Sequence, residues 1–139
     1  MKQMIYDRNQ AKLLHKGVCK GFEFYIISYG THPCAYVRIP EDHRLYQVDY
    51  FDYTKEIDVN CHGGITWSKE GLYRSNPINV DRDGWWIGWD YHHFGDYDAT
   101  YETSHDCEFY GDKRWTTEEI YSEVVYVCEQ LREMNGESR

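Results

Sequence analysis

The residues with the most capacity for chemistry crowd into one stretch. Residues 84–96 read GWWIGWDYHHFGD, which places three tryptophans, two adjacent histidines and two aspartates between glycines. Imidazole and carboxylate side chains ligate metals and move protons, while indole offers a stacking face. Strand alternation puts Trp85, Ile87, Trp89 and Tyr91 on one face and Trp86, Gly88, Asp90 and His92 on the other. The first set reads as core. In the second, Gly88 opens a slot between Trp86 and Asp90, a sign of close approach by backbone or ligand. Two further runs carry polar faces to match. CAYVRIP (34–40) turns Tyr36 and Arg38 one way, and IDVNCHGGITW (57–67) sets Asp58, Asn60 and His62 against apolar Ile57, Val59 and Cys61. If these strands are neighbours, one sheet face gathers Trp, Tyr, Arg, Asp and His. That is the make-up of a small-molecule pocket.

Other chemistries are less well served. His62, Asp90, His92 and Asp96, with His93, His105 and Cys107 as further donors, are residue types that bind zinc or manganese. Their spacings match no closed ligand set, so neither a resident metal nor a cofactor is expected. A nucleophilic hydrolase needs a GxSxG elbow or a Cys/His signature; the sequence has neither, nor a P-loop or GxGxxG. Plain structural roles also fit single residues. Asp90 can cap the turn after it, Gly63, Gly64 and Gly95 can serve the backbone, and Trp86 can fill an oligomer interface.

The whole chain sets bounds on these readings. Its 139 residues fit one domain, 1–139, large enough for a real core. Mean hydropathy is −0.81, but 14 Tyr, 5 Trp and 5 Phe supply large buried area, so a tyrosine-rich globule is expected and not a disordered chain. Fifteen basic residues against 24 acidic ones give a net charge of −9 with no basic stripe, which argues against nucleic acid as a partner. No run approaches the roughly 20 apolar residues that span a bilayer, so no membrane association is expected. The start MKQMIYDRNQ has no apolar signal core, and the five cysteines include no CxxC pair. Reduced thiols in the cytoplasm are the economical reading.

The elements that must position the site can be drawn from pattern. RNQAKLLHK (8–16) suggests one or two helical turns ended by Gly17, and residues 1–20 read as a peripheral N-terminal segment. FEFYIISYG (22–30) and CAYVRIP (34–40) make a hairpin about His32-Pro33. Residues 41–56 read as a long loop, 57–62 as an alternating strand, and 68–83 as a loop punctuated by Gly, Pro, Asn and Asp. The terminal segment, 115–134, is a helix: Ile120, Val124, Val127, Leu131 and Met134 recur at helical spacing. Thr116 and Glu119 make a capping box, Trp115 and Ile120 occupy the staple positions, and Gly136 can close the helix. The expected fold is α+β, an antiparallel or mixed sheet of four to six strands with the C-terminal helix packed on one face. Trp86 and the many tyrosines need cover, so a homo-oligomer is expected.

KGFEFYIISYGTHPCAYVRIP, IDVNCHGGITW, WWIGWDYHHFGDY and RWTTEEIYSEV also form a combined pattern. THPxAYVxIP, HGGxT, WWIGxDxxHxGD and a terminal KxWTxEEI helix resemble a family of small proteins from phages and prophages of Firmicutes. The resemblance covers about residues 16–131 and implies no enzymatic activity. It implies instead a counter-defence role in the host cytoplasm: a sponge that sequesters a nucleotide-derived immune signal. In that reading Tyr36 and Trp86 stack on the base. Arg38, Arg74 or Arg82 forks onto phosphate, the His62-Gly63-Gly64 turn adds backbone N–H groups as a nest, and Asp90 and His92 bond ribose or base. The alternatives are an inhibitor that blocks a host defence protein with its acidic surface, and a metal-dependent hydrolase of the signal.

Overall fold

Runs of aromatic and β-branched residues pair in the chain's middle, and a computed structural model describes residues 5–7, 10–52, 57–93, 95–97 and 113–137. Five strands, β1 (Lys12–Cys19), β2 (Phe22–Ser28), β3 (Pro33–Ile39), β4 (Trp67–Arg74) and β5 (Val80–Asp90), form one sheet in the order β1-β2-β3-β5-β4, antiparallel throughout. A helix, α1 (Thr117–Glu137), packs across β1, β2 and β3. The fold is α+β, with the helix on one face of the sheet.

Period-two alternation decides the main core. Phe24 pairs with Val37, Ile26 with Ala35, Ile87 with Val37 and Trp89 with Ala35. All of these point at the helix and meet Ile120, Val124, Val127 and Leu131, each fully buried. The helix start is the capping box read from sequence: Thr116 N–H donates to Glu119 Oε1 at 3.0 Å and Glu119 N–H to Thr116 Oγ1 at 3.2 Å. Gly136 does not close the helix, which runs on to Glu137. His43 locks the 41–48 loop to the helix, since its Nε2 lies 2.7 Å from the Leu131 carbonyl and its Nδ1 accepts the Leu45 N–H.

Three sequence expectations are corrected. Residues 12–16 belong to β1 and not to a helix; the open edge of β2 offers ladder hydrogen bonds that outweigh the modest helix preference of Lys and Leu. Residues 57–62 form no strand. Val59 is buried and Ile57 and Cys61 pack on the core, so the alternation is real, but the backbone bonds to helix side chains. Asn60 N–H donates to Gln130 Oε1 at 2.7 Å, Gln130 Nε2 donates to the Asn60 carbonyl at 2.8 Å, and His62 N–H donates to Glu123 Oε1 at 3.0 Å. Finally, residues 68–83 are not one loop: 68–74 belong to β4 and 80–83 to β5, and only 75–79, with their Pro and Asn, form the turn between them.

That missed hairpin reshapes the second face. Residues 80–84 of β5 pair only with β4, beyond the reach of β3. The strand turns at Gly84 (φ +99), where an added Cβ would lie 2.2 Å from Arg38 Nε. The hairpin brings Leu72, Ile78 and Val80 over Tyr25, Ile27, Tyr36 and Trp86, a second small core away from the helix. Arg82 clamps it there, forking onto Glu23 of β2 at 2.7 and 2.9 Å.

Candidate functional site

Beside this second core lies an open depression of about 230 Å³ lined by His32, Cys34, Tyr36, Thr66, Trp67, Trp89 and Asp90. Strand register builds it. Gly88 stands between Tyr36 on β3 and Trp67 on β4. With no side chain at Gly88, the Tyr36 ring moves in until its Cδ1 is 2.7 Å from where a Cβ would stand. Tyr36 then meets Trp67 edge to face at 5.0 Å. Two positions along, Asp90 faces Cys34 and brings a carboxylate to the same row. Tyr36 and Cys34 are buried and form floor, while His32, Thr66, Trp67 and Asp90 stand half-buried.

The carboxylate is held in place. Asp90 Oδ1 accepts the His92 N–H at 3.0 Å and Oδ2 accepts the Thr66 hydroxyl at 3.2 Å. His93 Nε2 lies 3.1 Å from Oδ1, and the Asp90 side chain keeps 29% of its surface open. On the other flank the Arg74 guanidinium sits over three rings, 5.5 Å from the centre of Tyr36, 5.7 Å from Trp67 and 5.9 Å from Tyr29. Arg74 Nε donates to the Tyr29 hydroxyl at 2.7 Å, which lies 2.7 Å from the Tyr36 hydroxyl. Burial pushes the Tyr36 phenol up and the Cys34 thiol up to about 12. In both, burial favours the neutral form over the charged one. His32 stacks on His92 at 4.5 Å with ring planes 15° apart.

A second polar cluster stands apart. Asp96, with a side chain only 3% exposed, accepts the His62 ring at 2.8 Å, the His93 N–H at 2.9 Å and the Trp115 indole N–H at 2.8 Å. The His62 ring lies flat on Tyr91 at 4.9 Å, and Tyr91 donates to Glu123 at 3.0 Å. Burial raises the Asp96 carboxyl, but the bonds from His62, the His93 backbone and Trp115 outweigh it and hold it below its usual value. This cluster ties the 61–64 turn, the 93–96 turn and the helix start together.

The sequence-derived residues therefore divide. Tyr36 and Asp90 meet in the depression, and His92 reaches it through the stack on His32. Trp86 does not join them: it is fully buried in the second core, donating its indole N–H to the Asp83 carbonyl at 2.9 Å. The chain's own hairpin gives Trp86 its cover, so its burial calls for no second copy. Arg38 donates to the Asp83 carbonyl at 3.1 Å and packs over Gly84. His62, Gly63 and Gly64 belong with Asp96, and two N–H groups of the supposed nest are in use: His62 N–H goes to Glu123 and Gly64 N–H to the Cys61 carbonyl. No family model, curated protein or solved structure matches this chain.

Among the described residues no group of three or more His, Cys, Asp or Glu converges as a metal site. His62 and Asp96 face each other, Asp90 faces His93, and His92 faces His32, so the four residues considered as ligands point to different neighbours. His105 and Cys107 lie outside the described residues. Sequence reasoning overlooked His32, Thr66 and Trp67 as lining residues. The usable signal was Gly88, whose missing side chain marks the register row on which Tyr36 and Trp67 meet.

Proposed function

We propose that the protein binds a nucleotide-like small molecule in the depression beside Asp90 and sequesters it unchanged. The observation that carries this reading is the pairing of a half-buried indole with one fixed carboxylate and one fixed guanidinium. Trp67 offers a flat surface to a base, a contact worth on the order of 1–3 kcal/mol per base. Asp90 supplies the acceptor for base or ribose donors. Of the three arginines considered for phosphate, Arg82 forks onto Glu23 and Arg38 donates to the Asp83 carbonyl; Arg74 donates to the Tyr29 hydroxyl and the Tyr73 carbonyl and is the one beside the lining rings, with its remaining N–H groups to offer a phosphate. The buried thiol and phenol of the floor, both kept protonated, fit binding without turnover.

Together with the resemblance to phage proteins, this supports a counter-defence sponge for a nucleotide-derived immune signal. Self-association, if the role requires it, has the exposed pair Tyr50 and Phe51 to use, with ring centres 5.2 Å apart. The test is native mass spectrometry of the protein mixed with AMP, GMP, ADP-ribose and cyclic dinucleotides. A stoichiometric mass gain, released intact on denaturation and lost in Trp67→Ala and Arg74→Ala, supports the reading. No mass gain with any of them, or a released product of altered mass, overturns it.

A further inference from the structure

We propose that Cys19 and Cys128 are an oxidant-responsive thiol pair that closes a reversible disulfide, stapling the end of β1 to α1. The two cysteines meet across the main core. Cys19 ends β1 and joins the core beneath the helix, and Cys128 lies on the buried stripe of α1 with Val124, Val127 and Leu131. Their side chains are in hydrogen-bonding contact, and the Tyr121 hydroxyl bonds to Cys19 as well. The next residue on each element repeats the match: Lys20 Nζ lies 3.5 Å from Glu129 Oε1, which holds strand end and helix together beside the pair.

A buried cysteine by itself packs as a small hydrophobe. Cys34 beside Tyr36 and Asp90, and Cys61 beside Glu123, fit that role, and neither meets a second thiol among the described residues. Cys19 and Cys128 differ because two side chains from separate elements converge, the arrangement a disulfide requires. Cys19 keeps 7% of its surface open and Cys128 none, so a small oxidant such as hydrogen peroxide meets Cys19 first. The Cys19 thiol gives up its proton, and its sulfur attacks the peroxide O–O bond, leaving a sulfenic acid and hydroxide. The Cys128 sulfur, losing its own proton, then displaces the sulfenic hydroxide as the S–S bond forms. Two thiols lose two electrons and two protons, and one peroxide becomes two waters. Burial and the neighbouring Cys19 oppose a thiolate at Cys128 while the Lys20 ammonium favours it, so the pair stays reduced until oxidant is plentiful. The bond closes a loop from residue 19 to residue 128, and a link of long span restricts the unfolded chain strongly.

The test is to treat the folded, reduced chain with hydrogen peroxide at about pH 8, block remaining thiols with iodoacetamide in urea, and map tryptic peptides without reduction. The expected product is lighter than the reduced chain by two hydrogens, carries residues 17–20 joined to residues 115–132, and returns to the starting mass with dithiothreitol. Its urea midpoint should exceed that of the reduced chain. Cys19→Ala and Cys128→Ala should each lose the joined peptide and the gain in midpoint. The peptide map and the midpoint of the parent chain decide the matter even where a variant folds poorly. Oxygen added at Cys19 with no link, or both thiols still open to iodoacetamide after peroxide, overturns the proposal. A linked form that unfolds at lower urea than the reduced chain overturns it too, because the native placement would then not accommodate the bond.

Discussion

Gly88 shows how much one missing side chain can decide. Its neighbours across the sheet are both large rings, and the Tyr36 ring occupies the space a Cβ would need, at 2.7 Å. Its backbone is ordinary extended strand, so a substitution there is opposed by crowding alone. Gly88→Ala should lower unfolding stability by about 1–3 kcal/mol, the usual range for overpacking. Urea titration measures this, and the loss should shrink when Tyr36→Leu is added, a coupling a double-mutant cycle reads directly. Equal losses in both backgrounds would mean the ring is not the obstacle. At the same scale, Trp86 illustrates a side chain whose type suited a ligand wall and whose neighbours made it core.

At the level of elements, the 61–64 turn, the 93–96 turn and the start of α1 meet on a single carboxylate. Asp96 is held below its ordinary value in the folded chain by bonds from His62, the His93 backbone and Trp115. A depressed carboxyl contributes stability that is complete above its unfolded value, about 3.9, and is lost as pH falls through the lower folded value. Urea midpoints of the parent should therefore hold from pH 7 to 5 and drop below about pH 4. Asp96→Asn should be less stable at pH 7, because an amide cannot accept all three bonds, and its midpoint should fall less over the acid range. A variant with the full acid slope of the parent would place that slope on other carboxyls. Glu119 is lowered too, by Lys113 and the Thr116 N–H, but it sits at the surface where solvent screens the effect.

The whole molecule turns its described cysteines inward. Cys19, Cys34 and Cys128 are buried and Cys61 is half-buried, all as free thiols. Burial pushes Cys34 and Cys61 up to about 12, and Cys128 is raised as well, with Cys19 beside it. Because the thiolate is the reactive species, iodoacetamide at pH 8 should leave Cys34 and Cys128 unmodified in the folded chain and label them in urea. Peptide mass spectrometry reads both positions. Rapid labelling of Cys34 without denaturant would mean the floor of the depression opens in solution. The two cores also differ in construction. One is a sheet closed by a helix, and the other depends on a β4–β5 hairpin tied to β2 through charge by Arg82 with Glu23.

Local pattern was enough wherever one segment settled its own conformation. The apolar stripe of α1 and its capping box, the alternation of β2, β3 and the second half of β5, and the α+β class all follow from spacing within a single run. That Asp90 and Tyr36 share one sheet face was legible because their strands alternate cleanly. What only the tertiary structure decided is which faces meet. The polar edge strand WSKEGLYR has no apolar period of its own and becomes β4 only by pairing with β5. The run at 57–62 has the period of a strand and is none, because Gln130 and Glu123 answer its backbone before another strand does. Side-chain alternation states which residues share a face; hydrogen bonding between distant segments decides what that face touches. For that reason Trp86 and His62 left the predicted pocket, and Trp67 and Arg74 came to flank it.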